Sequence, residues 1–220
     1  MSLPMRFLLA ASVLVAGTAL TAAPRQATTA PAALALAVQS HYAAVGSFTA
    51  RFTHTFKGGL LPQTTVERGS VKIKKPGRMR WTYDAPNQKE FVSDGTILYS
   101  YVKADRTCYV NDLPSGDGVS TAVLFLAGRG DLVRDFRASA APAAVSANEL
   151  RLLLTPITPQ TEFTQLTLGV DPKTLTLMSM ETVDADGGVS TFRFENLREN
   201  VALAEREFQF TPPKGVDVIR

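Results

Sequence analysis

Alternation of apolar and polar residues, which runs through most of the chain from Phe48 onward, limits the possible folds more than any other feature of the sequence. Successive side chains of a strand point to opposite faces, so a period of two predicts strands that each have one apolar face. The pattern predicts strands over residues 48–56, 69–75, 79–83, 90–93, 96–102 and 107–111, and again over 150–155, 163–170, 176–183, 189–196 and 208–210. Asp94-Gly95 suits the tight hairpin turn between two of them, because both turn positions need positive φ. The sequence therefore predicts a long antiparallel sheet of about 11 strands.

Two helical segments interrupt the strand pattern. Residues 31–45 place Leu34 and Val38 at helical spacing. Residues 120–127 are apolar almost all round, and Gly128 is suited to end that helix. The chain is therefore expected to be mainly β with two helical segments (α+β), in which the sheet curls around an interior. The helices either fill the inside of the sheet as a packed core or cover it as a lid.

The first residues have the composition of a secretory signal peptide. Arg6 precedes apolar residues 7–20 and small residues follow, so we assign residues 1–23 to a signal with cleavage somewhere between 22 and 31. The apolar run is shorter than the roughly 18 to 20 residues of a membrane-spanning helix, which favours a cleaved signal over a retained anchor. Residues 32–220 then form a single domain of ordinary size that works outside the cytoplasm.

Residue types that catalysis or metal binding would need are scarce. Lys and Arg number 23 against 20 acidic residues, so the surface is nearly balanced in charge. No serine stands in a Gly-x-Ser-x-Gly motif, and one cysteine and two widely separated histidines, His41 and His54, give no cluster with the spacing of metal ligands. Cys108 is the single cysteine, so an internal disulfide is impossible and a buried thiol is expected. The sequence predicts a binding or carrying protein that is not an enzyme and has no cofactor or metal.

The stretch VKIKKPGRMRW, from Val71 to Trp81, crowds five basic side chains around a proline. Its composition alone suits a polyanion-binding patch, but strand parity separates it into two faces. The basic side chains of the solvated face are Lys72, Lys74, Arg78 and Arg80. The other face is apolar and aromatic, and Lys75 falls on its rim beside the turn at Pro76-Gly77.

Three segments resemble one known family, the LolA-like periplasmic carriers of outer-membrane lipoproteins. GSVKIKKPGRMRWTYDAPNQKEFVSDGTILYSY has the family's basic residue before Pro, a short gap to Trp, and Val-x-Asp-Gly before an aromatic-rich strand. STAVLFLAGRGDLVRDF is similar to the central lid helix, and FQFTPPKGVDVI is similar to the C-terminal motif. The resemblance covers residues 32–219. It implies an unclosed, strongly curved antiparallel β half-barrel covered by short helices from the N-terminus and mid-chain.

The resemblance also implies a function. Such carriers take acylated lipoproteins from an inner-membrane lipoprotein-releasing ABC transporter, cross the periplasm, and pass them to an outer-membrane acceptor. An acyl chain exposed to water costs about 0.8 kcal/mol for each methylene, so a carrier needs an apolar cavity. This chain would then be a monomer of the periplasm, with acylated lipoproteins and no nucleic acid as partners.

Site residues follow from the resemblance and from strand parity. The expected cavity residues, each of which also suits an ordinary core, are Met79, Trp81, Tyr83, Phe52, Val71 and Ile73. The expected lid residues are Leu34 and Val38 from the first helix and Val123, Leu124 and Phe125 from the central one. Lys75 stands where well-known family members have Arg before Pro. In those members the guanidinium can bond backbone carbonyls of the lid. An ammonium offers three donors without the planar fork, so we expect Lys75 to be the latch of the lid but to hold it less rigidly or through a different contact.

Two further functions stay open. A cavity of this kind selects for acyl chains rather than for the attached protein, so the cargo is alternatively another amphiphile, such as a glycolipid or an envelope pigment. Related half-barrels also act as envelope-stress sensors. Sensors of that class usually carry a second domain, for which about 190 residues after the signal leave no room.

Overall fold

The computed structural model describes residues 30–60, 63–113, 126, 128, 130–142, 148–159 and 161–220. The helices are α1 (Ala30–Ala44) and α2 (Leu132–Asp135), and a 3-10 helix spans Glu205–Phe208. The first six strands are β1 (Ser47–Lys57), β2 (Thr64–Lys74), β3 (Arg78–Tyr83), β4 (Lys89–Asp94), β5 (Ile97–Val102) and β6 (Thr107–Asp112). The other six are β7 (Phe136–Ala140), β8 (Leu150–Pro156), β9 (Gln165–Val170), β10 (Leu177–Val183), β11 (Val189–Glu199) and β12 (Asp217–Ile219).

All twelve strands belong to one curved, unclosed sheet. Their order is β12-β6-β5-β4-β3-β2-β1-β11-β10-β9-β8-β7, so β12 and β7 form the two edges in the described part of the chain. Neighbours pair antiparallel except β12, which runs parallel to β6. The antiparallel half-barrel expected from the sequence is confirmed.

The strand predictions before residue 197 are confirmed as β1–β6 and β8–β11. The predicted strand at 208–210 is wrong. The 3-10 helix ends at Phe208, residues 209 and 210 form no strand, and the helix contacts β3 and β4, whose edges are already paired. Two short strands, β7 and β12, escape the sequence pattern. The three residues of β12 are all exposed and therefore show no apolar alternation.

The concave face of the sheet carries the core. Its strands contribute buried side chains at alternate positions, as in β3, where Met79, Trp81 and Tyr83 are buried and the residues between them are half-buried. Helix α1 packs on β7 and β8 on this face, and α2 lies beside it. The amide N–H of Leu132 in α2 donates to Gln39 Oε1 of α1 at 2.8 Å, which ties the two helices together. The helices therefore fill only part of the concave side.

Helix α1 is rich in Ala, the residue with the highest helix propensity, and it buries Ala35, Val38 and Tyr42. The Tyr42 hydroxyl oxygen accepts a hydrogen bond from the amide N–H of Leu177 at 2.8 Å. Burial raises the pKa of Tyr42 well above its ordinary value, so the phenol stays neutral. This contact attaches the C-terminal turn of α1 to the start of β10.

The convex face is crossed by residues 203–209, which we call the C-terminal strap. Lys74 Nζ lies 2.6 Å from Glu205 Oε1, and Arg78 Nε lies 2.8 Å from Glu205 Oε2. Lys72 pairs with Glu207, whose backbone carbonyl also accepts a hydrogen bond from Arg80. The basic residues of the hairpin therefore face outward, as parity predicts, but acidic residues of the strap neutralise much of their charge.

Acid is expected to loosen the C-terminal strap. Hydrogen bonds from Lys74 and Lys72 hold the pKa values of Glu205 and Glu207 below their ordinary value near 4.5. A carboxylate whose pKa is lower in the folded state than in the unfolded state stabilises the fold at pH values above its unfolded-state pKa. That contribution disappears as the pH falls through the folded-state pKa. The melting temperature should therefore decrease as the pH is lowered below about 4.5. The decrease should be less steep in a Lys72→Gln, Lys74→Gln double variant, which lacks both ammonium groups. Identical pH profiles for the two proteins would contradict this role of the strap.

Candidate functional site

An apolar cavity of about 210 Å³ remains on the concave side, between the β3–β5 strands and the β10–β11 strands. Its wall consists of Met79, Trp81, Tyr83, Phe91, Leu98, Met180 and Phe192. Tyr83 is the residue of this wall with a hydroxyl group. Two methionine side chains make part of the wall deformable, because a thioether chain is flexible and polarisable. The cavity suits a flexible apolar ligand better than a rigid polar one.

Contacts between aromatic rings on the concave face hold the cavity wall together. The Trp81 ring centroid lies 5.3 Å from Phe52 and 5.3 Å from Phe192, with the planes tilted. Phe52 also makes an edge contact with Tyr83 at 4.9 Å. Such offset and edge-on pairs are favourable arrangements of aromatic rings. They fix the positions of the wall residues of β3 and β11 from the central strand β1.

The structure separates the six residues expected to line the cavity. Met79, Trp81 and Tyr83 lie on its wall. Phe52, Val71 and Ile73 lie on the same concave face but are buried in the core, with at most 2% of each exposed. They support the wall from the neighbouring strands β1 and β2, where Val71 lies opposite Trp81 and Ile73 lies opposite Met79.

Four wall residues escape sequence reasoning: Phe91, Leu98, Met180 and Phe192. Register explains Phe91, which lies opposite Trp81 in the antiparallel pair of β3 and β4. Met180 lies opposite Phe192 across β10 and β11. Parity identifies the apolar face of each strand, but the sequence does not reveal that distant strands face each other across the cavity.

The lid, as the structure describes it, consists of α1, α2 and the mid-chain residues Leu126 and Gly128. Val38 and Leu126 are completely buried against the core, and Leu34 packs against it while half-buried. The predicted lid residues Val123, Leu124 and Phe125 lie outside the described residues. In the described part of the lid, the N-terminal helix α1 therefore covers the concave face next to the cavity.

Lys75 contacts the lid at two points. Its ammonium donates a hydrogen bond to the backbone carbonyl of Tyr42, in the last turn of α1. Cations are favourable at this end of a helix because its carbonyl groups lack intrahelical partners. The methylene groups of Lys75 lie against Gly128. Burial lowers the pKa of Lys75, and the nearby Glu199 carboxylate opposes that shift.

Gly128 provides a test of this contact. A Cβ at this position would lie 2.7 Å from Lys75 Cδ, and the backbone φ is +77°. Gly128→Ala should displace the Lys75 side chain and strain the backbone by about 1–2 kcal/mol. We expect an apolar fluorescent dye to enter the cavity several times faster. Gly187→Ala is the matched control, because Gly187 has φ of +79° and no atom within 4 Å of the added Cβ. Equal dye entry in the two variants would contradict a role for the Lys75 contact.

Comparison with known proteins identifies the family of this chain. The sequence model of the family described as "Outer membrane lipoprotein carrier protein LolA" matches residues 43–211. The chain belongs to this family. An outer-membrane lipoprotein carrier protein of Nitrosomonas europaea is 32% identical over 174 residues, which cover 79% of this chain and 82% of that protein. The carrier protein of Bordetella pertussis is 32% identical over 202 residues, covering 92% and 91%.

A solved structure supports the fold. The crystal structure of an uncharacterized conserved protein from Thermus thermophilus covers 86% of this chain and 98% of its own, with a TM-score of 0.53 and 12% identity. At that identity the likeness concerns the fold alone. Members of the LolA family are named as carriers, so the expectation that this chain is not an enzyme is confirmed.

The described residues contain no group of three or more His, Cys, Asp or Glu side chains placed to hold a metal ion. No helix in those ranges combines the length and the apolar character that crossing a membrane requires.

Proposed function

We propose that this protein is a periplasmic chaperone that binds the acyl chains of lipoproteins and shuttles them from an inner-membrane ABC exporter to the outer membrane. The observation that carries the proposal is an apolar cavity on the concave side of a LolA-family half-barrel, beside a helical lid. The relatives named as outer-membrane lipoprotein carriers support the same role. Residues 1–23 act as the signal peptide that brings the chain to the periplasm.

The cavity volume supports a lid that moves when cargo binds. About 210 Å³ is less than the roughly 300–1,000 Å³ of a pocket that encloses a drug-sized ligand. Several acyl chains therefore need additional apolar surface. That surface exists beneath α1, where Leu152 and Leu154 of β8 are buried. Displacement of α1 would enlarge the cavity along the sheet.

Lid closure and cargo binding then compete for the same apolar surface. In the closed state α1 covers that surface, and in the loaded state acyl chains cover it. The free energy of closure offsets part of the free energy of acyl binding, so the cargo stays bound weakly enough to be released. Lys75 acts as the latch of the closed state through its bond to the Tyr42 carbonyl.

Depletion of the protein tests the proposed function in the cell. Fractionation of the two membranes after depletion should show outer-membrane lipoproteins accumulating in the inner membrane. Mass spectrometry of material that co-purifies with the protein from the periplasm should show acylated lipoproteins. Unchanged lipoprotein distribution together with free lipids alone in the extract would overturn the proposal and favour carriage of another amphiphile.

A further inference from the structure

A cluster of polar side chains lies on the concave face at the end of the cavity far from Lys75. We call it the rim cluster, and it consists of His54, Glu67, Tyr83, Lys89 and Ser190. Strand β1 begins beside the turn that holds Lys75 and reaches His54 seven residues later, which is roughly 24 Å along an extended strand. The cavity wall therefore lies between the latch and the rim cluster.

Strand register places these side chains on the face that holds the cavity. His54 lies opposite Glu67 in the pair of β1 and β2. Lys89 lies two positions before the wall residue Phe91, and Ser190 lies two positions before the wall residue Phe192. Residues two positions apart on a strand point to the same face, so both side chains are on the cavity side. The members come from five different strands and meet only in the folded sheet.

Two contacts join the rim cluster directly to the cavity. The Tyr83 ring is part of the wall, and its hydroxyl oxygen lies 3.3 Å from His54 Nδ1. The His54 ring stacks on Phe192, with 4.1 Å between centroids and 3° between planes. The apolar cavity therefore ends in hydrogen-bonding groups on this side. A ligand that extends past Tyr83 and Phe192 meets polar atoms.

Within the described residues, the contacts of the rim cluster leave hydrogen-bonding capacity over. Lys89 Nζ donates to Glu67 Oε2 at 2.8 Å and lies 4.3 Å from the centre of the Tyr83 ring. An ammonium has three N–H donors, so further donors of Lys89 are available to a ligand. The Lys89 side chain is 24% exposed, which leaves a route for an incoming group. His54 Nε2, at 2.8 Å from Ser190 Oγ, fixes the position of the serine hydroxyl.

The charge of the rim cluster favours a neutral carbonyl ligand over a second charged group. Burial lowers the pKa of His54, opposed by the Glu67 carboxylate, so the imidazole is neutral near pH 7. The Glu67 carboxylate and the Lys89 ammonium offset each other. Ester and amide carbonyls accept hydrogen bonds without adding charge, and they are the polar groups nearest to the acyl chains of a lipoprotein.

We propose that the rim cluster binds the ester and amide carbonyl groups at the acylated N-terminus of the cargo, with the acyl chains extending from there along the cavity toward Lys75. This inference rests on the proposed function and adds the orientation of the cargo to it. The remaining N–H donors of Lys89 bind the carbonyl oxygens. The apolar wall then binds only hydrocarbon.

Two matched probes test the orientation. One is a synthetic peptide with a triacylated N-terminal cysteine, and the other is its ether analogue, in which methylene groups replace the ester carbonyls. Wild-type protein should bind the ester probe about tenfold more tightly, because a hydrogen bond to a charged donor is worth roughly that factor. The Glu67→Gln, Lys89→Met double variant should lose this preference and bind the ether analogue within twofold of wild type. Lys103→Met, an exposed substitution outside the rim cluster, is the control and should keep the preference.

The outcomes separate this inference from the proposed function. Equal affinity of wild-type protein for the two probes would overturn the inference while leaving an acyl-chain carrier intact. Equal weakening of both probes in the double variant would show that the rim cluster has a structural role only, which also overturns it. Failure of both probes to bind wild-type protein would overturn the proposed function and the inference together.

Discussion

Lys75→Leu is expected to keep acylated cargo bound and to lower its transfer to an acceptor about tenfold or more. The substitution removes the ammonium that donates to the Tyr42 carbonyl at the end of α1. A hydrogen bond from a charged donor contributes about 1.5–3 kcal/mol, which corresponds to a roughly 10- to 100-fold shift between open and closed lid. Because closure competes with cargo, weaker closure means slower release. The rate at which labelled lipoprotein passes from the purified carrier to acceptor membranes measures the effect.

Two substitutions control for this effect. Lys75→Arg keeps a cation that donates to the same carbonyl and should transfer cargo at close to the wild-type rate. Lys74→Leu removes the neighbouring ammonium, which pairs with Glu205 on the convex face, and should leave transfer unchanged. The latch would be excluded if Lys75→Leu transferred cargo at the wild-type rate. It would also be excluded if Lys74→Leu lowered the transfer rate as much as Lys75→Leu does.

Leu98→Asp should lower acyl-chain affinity by about 100-fold or more. Leu98 is half-buried and forms part of the cavity wall. A carboxylate at this position loses water when an acyl chain binds beside it, and desolvation of an ion costs several kcal/mol. Titration of the purified variant with the triacylated cysteine peptide measures the loss.

Ile97→Asp is the matched control for Leu98→Asp. Ile97 is also half-buried, but it precedes Leu98 by one position on β5 and points to the opposite face. Both variants should lose some thermal stability, whereas only Leu98→Asp should lose acyl-chain affinity. A similar loss of affinity in the two variants would indicate general destabilisation instead of a binding site on the concave face.

Much of the sheet is predictable because strands carry their own signal. The alternation in β3, with apolar side chains at every second position, identifies both the strand and its apolar face. The hairpin of β4 and β5 is predictable from Asp94-Gly95, but its turn is shifted by one residue. Gly95 and Thr96 join the strands, with a φ of +105° at Gly95, and Asp94 lacks the positive φ expected of it because it is the last residue of β4. The irregular segment around the 3-10 helix lacks such a signal, and its two aromatic residues suggest a strand that does not form.

The candidate site is less predictable because its parts are distant in the sequence. Trp81 is identified from its own strand, but Met180 and Phe192 reach the same cavity only through the strand order of the sheet. The rim cluster is also formed by residues that are distant in the sequence. His54 and Ser190 are 136 positions apart and meet only because β1 pairs with β11. The neutralisation of the hairpin cations by Glu205 and Glu207 also depends on a segment far along the chain. The alternation within a strand predicts which side chains share a face of the sheet. Predicting contacts between distant segments also requires the order of the strands in the sheet.

The single tryptophan of the chain allows a direct test of where the acyl chains bind. Trp81 lies on the cavity wall with only 5% of its surface exposed, so water-soluble quenchers should reach it poorly. A triacylated cysteine peptide with brominated acyl chains quenches tryptophan only by close contact. We predict strong quenching of Trp81 fluorescence on binding of the brominated peptide, and little quenching by the same peptide without bromine. Binding of the brominated peptide with unchanged Trp81 fluorescence would contradict the central claim that acyl chains occupy this cavity.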